Sequence, residues 1–174
     1  NLMEVVPVIT TRKLDRLPES ISWEDIQQLL TMPDRNTPTG RRDLAVMMLC
    51  IHYGVRIGQV TTLKLEDIHW EDGFICFAGC KWSNSLRLPL HEDVVQALFD
   101  YIKKDRKNSE HEEVFLTLRG KQRPLSEHNH YAANFQKYYV KAGIDSKFKG
   151  SRHFRHAFAT RLLSQKVSIK TIAD

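Results

Sequence analysis

The chain has 174 residues, enough for one domain with a real core, and its 26 Lys and Arg against 21 Asp and Glu leave a net charge of +5. No apolar run reaches membrane-spanning length and no secretory signal opens the sequence, so it reads as a soluble protein. Cys50, Cys76 and Cys80 are an odd set in apolar surroundings, which points to reduced thiols inside a cell rather than a disulfide framework.

Residues 1–20 carry Pro7, Pro18 and mixed charges without helical periodicity, and are expected to be a linker from a preceding core-binding domain. Ser22-Trp23-Glu24-Asp25 has the form of a capping box and predicts a helix from Ser22 to Pro33. A polar loop is expected over 33–42, then a second helix from Asp43 to Tyr53, apolar nearly all round and so central and buried, closed by Gly54. Val55 to Leu63 predicts another short helix. Strands are expected at Phe74–Phe77 and Leu86–Leu90 around a hairpin loop at Gly79–Ser85, with a third candidate at Val114–Thr117. Asp93 to Lys104 is an amphipathic helix, Ser126 caps a helix through Ala142, a further helix runs from Ser151 to Ser164, and Ser168 starts a last one. The expected fold class is mainly α with a small three-stranded antiparallel β-sheet, an α+β domain over 21–174.

The helix from Ser151 carries the clearest chemistry. Arg152, Arg155 and His156 stand at i, i+3 and i+4 and project from one face, while Phe154 and Phe158 fall on the other, where they anchor it. A paired guanidinium face fits phosphate oxygens. A solvated basic face that pairs with acids elsewhere fits this segment equally well. Seven basic residues and no acid lie between Ser146 and Lys170, a local field that favours a polyanion. Upstream, Arg56 lies between a buried helix and the next apolar turn. It is expected to be partly buried beside an anion, either a ligand or a structural partner such as Glu66 or Asp67. Lys81 lies in the hairpin loop and matters only if that loop reaches a substrate. Cys76 with Cys80, and His128 with His130, lack partner pairs at zinc-site spacing, so no metal is expected.

In order and spacing these motifs resemble the catalytic domain of the tyrosine recombinases, the phage-type integrases and Xer-like site-specific recombinases. Arg56 in Gly54-Val55-Arg56-Ile57, followed by Leu63-Lys64-Leu65-Glu66-Asp67-Ile68, matches the first-arginine motif. Lys81, ahead of Arg87-Leu88-Pro89-Leu90, matches the β-hairpin lysine. Val114-Phe115-Leu116 and Pro124-Leu125-Ser126 match the intervening segment, and Arg155 to Leu163 the second-arginine motif. The chain departs from the pattern in three ways. Arg152 stands where the family's usual histidine belongs, with His153 one position off. Gln59 stands where a glutamate is common. The later His or Trp ligand and the nucleophilic tyrosine of the family are expected beyond Asp174, and Tyr53, Tyr101, Tyr131, Tyr138 and Tyr139 precede the second-arginine motif, the wrong order for a nucleophile.

The resemblance implies DNA cleavage and rejoining through a 3′-phosphotyrosyl intermediate. Arg56, Arg152 and Arg155 would hold the phosphate, Lys81 would be the general acid, and Lys81, Trp82, His156 and Arg161 would contact DNA. It implies neither metal nor other cofactor, double-stranded DNA at an attachment site as partner, a tetramer on DNA for the whole protein, and a prokaryotic cytoplasmic setting at the nucleoid. The fragment alone is expected to be a monomer that binds DNA without cutting it. The alternative is a non-catalytic DNA-binding module using the same basic residues as phosphate clamps.

Overall fold

The computed structural model describes residues 21–79, 85–125, 131–144 and 150–165. The expected linker at 1–20, the hairpin tip with Lys81 and Trp82, the cap at Ser126 and the helix after Ser168 lie outside them. Helix α1 (Trp23–Leu30) begins where the sequence predicts, with Ser22 Oγ accepting from Asp25 N at 3.0 Å.

Helix α2 (Pro38–Tyr53) starts earlier than the expected Asp43, and the polar loop is correspondingly shorter. The cause is local. Thr37 Oγ1 accepts from Gly40 N at 3.1 Å, and Pro38 sits in the first turn, where a missing N–H costs nothing. Gly40 allows the Asp34 backbone to lie against that turn, since a Cβ there would come within 1.9 Å of the Asp34 carbonyl oxygen. Beyond it Leu44, Ala45, Val46, Met47, Leu49, Cys50 and Ile51 are buried, and α2 packs against α1, α3 (Ile57–Thr61), α4 (Glu92–Lys104) and α6 (Arg152–Ser164). It is the axis of the domain. Burial pushes the Cys50 thiol up to about 12, which leaves it a core side chain rather than a reactive one.

The sheet is three-stranded and antiparallel in the order β1 (Ile68–His69), β2 (Phe74–Phe77), β3 (Leu86–Pro89), with Ile68 opposite Ile75 and Phe77 opposite Leu86. The third strand is therefore Ile68–His69, across the Trp70–Gly73 turn, and not Val114–Thr117. That segment makes only single bridges, Lys64 with Glu113 and Leu116 with Pro124, while Val114, Phe115 and Leu116 are fully buried. Its apolar run serves the core, not a sheet edge. Among the described residues, the helix expected from Ser126 through Ala142 is α at α5 (Gln136–Lys141), after a 3₁₀ turn at Tyr131–Phe135.

One buried charge ties α2 to α5. Asp43, fully buried, accepts from Arg42 Nε and Nη2 through Oδ1 (3.2 and 3.0 Å), and from Lys137 Nζ and the Tyr138 hydroxyl through Oδ2 (3.0 and 2.8 Å). A carboxylate taken out of water survives only when so fully bonded, and deleting it strands its cationic partners. Asp43→Ala should therefore cost about 3–5 kcal/mol of stability, seen as a lower urea midpoint at unchanged slope. A loss below about 1 kcal/mol would show that the cluster carries no net stabilisation.

Candidate active site

Gly54 ends α2 in the left-handed conformation, with φ of 61°. Two residues later Arg56 is the N-cap residue of α3, in extended conformation. Arg56 is exposed, which corrects the expectation of partial burial. The acids expected as its structural partners are engaged elsewhere. Glu66 lies 3.7 Å from Lys64 Nζ, and Asp67 Oδ2 accepts from Lys64 N at 2.8 Å.

Helix α6 reaches the same turn from the other end of the sequence. Phe154 and Ala157 are buried, Phe154 packing against Phe135 and Tyr139 at ring distances of 5.6 and 6.1 Å. Phe158 continues this stripe and fills the space where Gly54 would carry a side chain, since a Cβ at Gly54 would stand 2.3 Å from Phe158 Cδ1. With α6 seated this way, Arg155 Nη1 donates to the Gly54 carbonyl at 2.7 Å. The two arginines that the sequence places in separate motifs thus share one turn.

Gln59 links that turn to the sheet. Its Oε1 accepts from Arg56 N at 3.0 Å, and its Nε2 donates to the Ala78 carbonyl at 2.9 Å, just past β2 and at the base of the hairpin that carries Lys81. A glutamate could accept the first bond but could not donate the second. The amide is the side chain that makes both. The sequence marked Gln59 only as a departure; its partner across the sheet could not be read from spacing.

Arg152 opens α6 and is exposed, while His153 and His156 are half-buried with ring centroids 6.2 Å apart. The first turn of α6 holds no acid, and among the described residues no carboxylate pairs with Arg152, Arg155 or Arg161. Burial, then His156, then Arg152 hold the His153 imidazole below its ordinary value. Arg161 lies with its guanidinium 3.8 Å from the Trp23 ring centroid, a cation–π contact between α6 and α1 that leaves the side chain exposed. Four phenols are engaged in hydrogen bonds within the fold. Tyr53 donates to Pro89 O, Tyr101 accepts from Leu116 N, Tyr138 donates to Asp43 and Tyr139 to Gly150 O, and burial raises the pKa of each.

The chain matches the family model described as the phage integrase family over residues 19–174, and it belongs to that family. It is 32% identical over 174 residues to a protein of Sinorhizobium fredii named as integrase/recombinase y4rA, covering 100% of this chain and 42% of that one. It is 28% identical over 169 residues to tyrosine recombinase XerD of Vibrio vulnificus, covering 95% of this chain and 54% of the relative. The XerH site-specific recombinase, solved bound to its difH substrate, shares the fold at TM-score 0.73 and 18% identity, over 90% of this chain and 46% of that one. The chain thus spans about half of these proteins or less.

Two outcomes follow from this geometry. Gly54→Ala should destabilise the domain by at least about 1–3 kcal/mol through backbone strain, before the clash with Phe158 is added. The check is a fall in thermal midpoint larger than that of Gly120→Ala, whose Cβ would meet open space at a similar φ. His153 should titrate below 6.5 in an NMR titration of its ring nitrogens. A depressed histidine favours the neutral form in the fold, so the stability it contributes is complete above that pH and is lost as the pH falls through its folded value. A His153 titration at or above 6.5 would contradict the packing described.

Proposed function

We propose that this chain is the catalytic domain of a site-specific DNA recombinase or integrase, which breaks and rejoins DNA through a 3′-phosphotyrosyl intermediate. The observation that carries the reading is the bond from Arg155 to Gly54, which brings the second arginine motif onto the turn of the first. Membership of the phage integrase family and the likeness to XerD and to DNA-bound XerH support it.

In this reading Arg56, Arg152 and Arg155 hold the non-bridging oxygens of the scissile phosphate and stabilise the charge that grows on them in the transition state. A tyrosine hydroxyl attacks phosphorus and forms the phosphotyrosyl bond as the bond to the 5′ oxygen breaks. Lys81 delivers the proton that the leaving 5′ oxygen takes up. Such chemistry asks for no Mg²⁺, because the guanidinium groups supply the positive charge. The nucleophile is not one of the four bonded phenols, Tyr53, Tyr101, Tyr138 and Tyr139. His156 and Arg161, with Lys81 and Trp82 on the hairpin, contact the DNA backbone. The whole protein acts as a tetramer on its attachment site, at the nucleoid in the cytoplasm.

The test uses the full-length protein. Arg155→Ala should lower the recombination rate by roughly 100- to 1,000-fold, the usual effect of removing one preorganised donor to the transition state. Arg152→His should retain activity where Arg152→Ala loses it, because histidine also donates to phosphate oxygens. An unchanged rate in Arg155→Ala would overturn the assignment. Weakened DNA affinity in both alanine variants, with no recombination by the parent protein, would turn the reading toward a binding module.

A further inference from the structure

Beside the last turn of α2, on side chains that the phosphate chemistry does not use, three groups of metal-ligating type converge. His52 lies in the last turn of α2, His91 is the N-cap residue of α4, and Asp93 lies in the first turn of α4. Their ligating atoms all fall within 4.8 Å of one another. The two imidazoles are 4.5 Å apart between centroids and tilted by 40°, and His91 Nδ1 is 3.7 Å from Asp93 Oδ2.

The backbone around the group is held firmly. The Tyr53 hydroxyl donates to the Pro89 carbonyl at 2.9 Å and accepts from His91 N at 3.0 Å, so the residue after His52 and the residue before α4 are already joined. Ligand atoms on a tetrahedral ion with bonds near 2.0–2.1 Å stand about 3.3 Å apart. His91 and Asp93, both more than half exposed, can close that gap by rotating, while half-buried His52 stays in place.

We propose that His52, His91 and Asp93 form a binding site for a divalent transition metal, zinc by the two-imidazole, one-carboxylate donor set, that fastens the C-terminal end of α2 to the start of α4. The far end of this helix pair is already closed by Arg41 on Asp105, through bonds of 2.6 and 2.7 Å. The metal closes the end that leads into Gly54 and Arg56. Its role is a clasp on the scaffold, and it stands whether or not the recombinase reading does. The residues lie on segments far apart in sequence, so no ligand spacing announces them.

The experiment titrates the metal-free chain with zinc chloride by calorimetry and follows the thermal midpoint in parallel. Expected are one zinc per chain, a midpoint that rises with zinc concentration as binding to the folded state requires, and affinity weakened at least about tenfold in both His52→Ala and His91→Ala. Far-UV circular dichroism confirms that the variants fold. Cobalt(II) substitution should give the visible absorption of a tetrahedral nitrogen–oxygen site. A thiolate charge-transfer band would move the metal to the cysteines and overturn the proposal. So would zinc uptake that persists in the double variant, or the absence of stoichiometric uptake by the parent chain.

Discussion

The hydrogen bond from the Arg155 guanidinium to the Gly54 carbonyl is the constraint on which the site depends. It exists because three conditions meet. α2 is buried along most of its length and so fixes where its last carbonyls lie. The chain then turns through a left-handed conformation that a residue without a Cβ adopts freely. Phe158 occupies the place a side chain would take, and it sits there because Phe154 and Ala157 seat the same helix face in the core. Packing that buries α6 therefore sets the position of the Arg155 head group. Core and site are one arrangement.

The chain treats its cations in two ways. Arg41 is bonded through two nitrogens to Asp105, Arg42 and Lys137 to Asp43, Lys64 to Glu112 and Lys104 to Asp100. These cations are paired with carboxylates within the fold. Arg155 instead gives one of its five N–H groups to a neutral carbonyl, which fixes its direction, and no carboxylate among the described residues pairs with its charge. Arg106 also bonds carbonyls, but those of its own loop at His111 and Glu113, where it serves to close the chain after α4. A guanidinium oriented by a distant backbone turn and left with its charge is suited to an anion that arrives from outside.

Much of this could be read from the sequence because the signals were local. The Ser22 cap, the apolar continuity of α2, the closing role of Gly54 and the two-sided pattern of α6 all follow from spacing along one element. What could not be read were contacts across elements. Asp43 looked like the start of a helix and is the buried partner of Arg42, Lys137 and Tyr138. Val114–Thr117 looked like a strand because β-branched and aromatic residues suit both strands and cores, and tertiary burial decided between them. The early start of α2 was legible in Thr37-Pro38, a cap followed by a first-turn proline, but a polar composition obscured it. The same limit applies to Gln59, whose meaning depends on Ala78 across the sheet.

The start of α6 lacks a feature that α1 and α4 share. α1 and α4 place acids in their first turns, Glu24 with Asp25 and Glu92 with Asp93, where the partial positive charge of the helix end favours them. α6 has no acid there, its Ser151 makes no side-chain cap, and Arg152 is its first residue. A cation at that end is disfavoured by about 0.3–1 kcal/mol when exposed. Local preference is usually violated where function requires it. A phosphate placed before α6 would satisfy the open backbone N–H groups and the guanidinium of Arg152 together, and Arg155, one turn further on, is held by Gly54 beside Arg56. On the reading proposed above, an arginine in place of a histidine at this position strengthens that grip and takes away a group able to exchange a proton near neutral pH. This helix end is then a clamp for charge, and the acid–base work of the proposed reaction falls to Lys81.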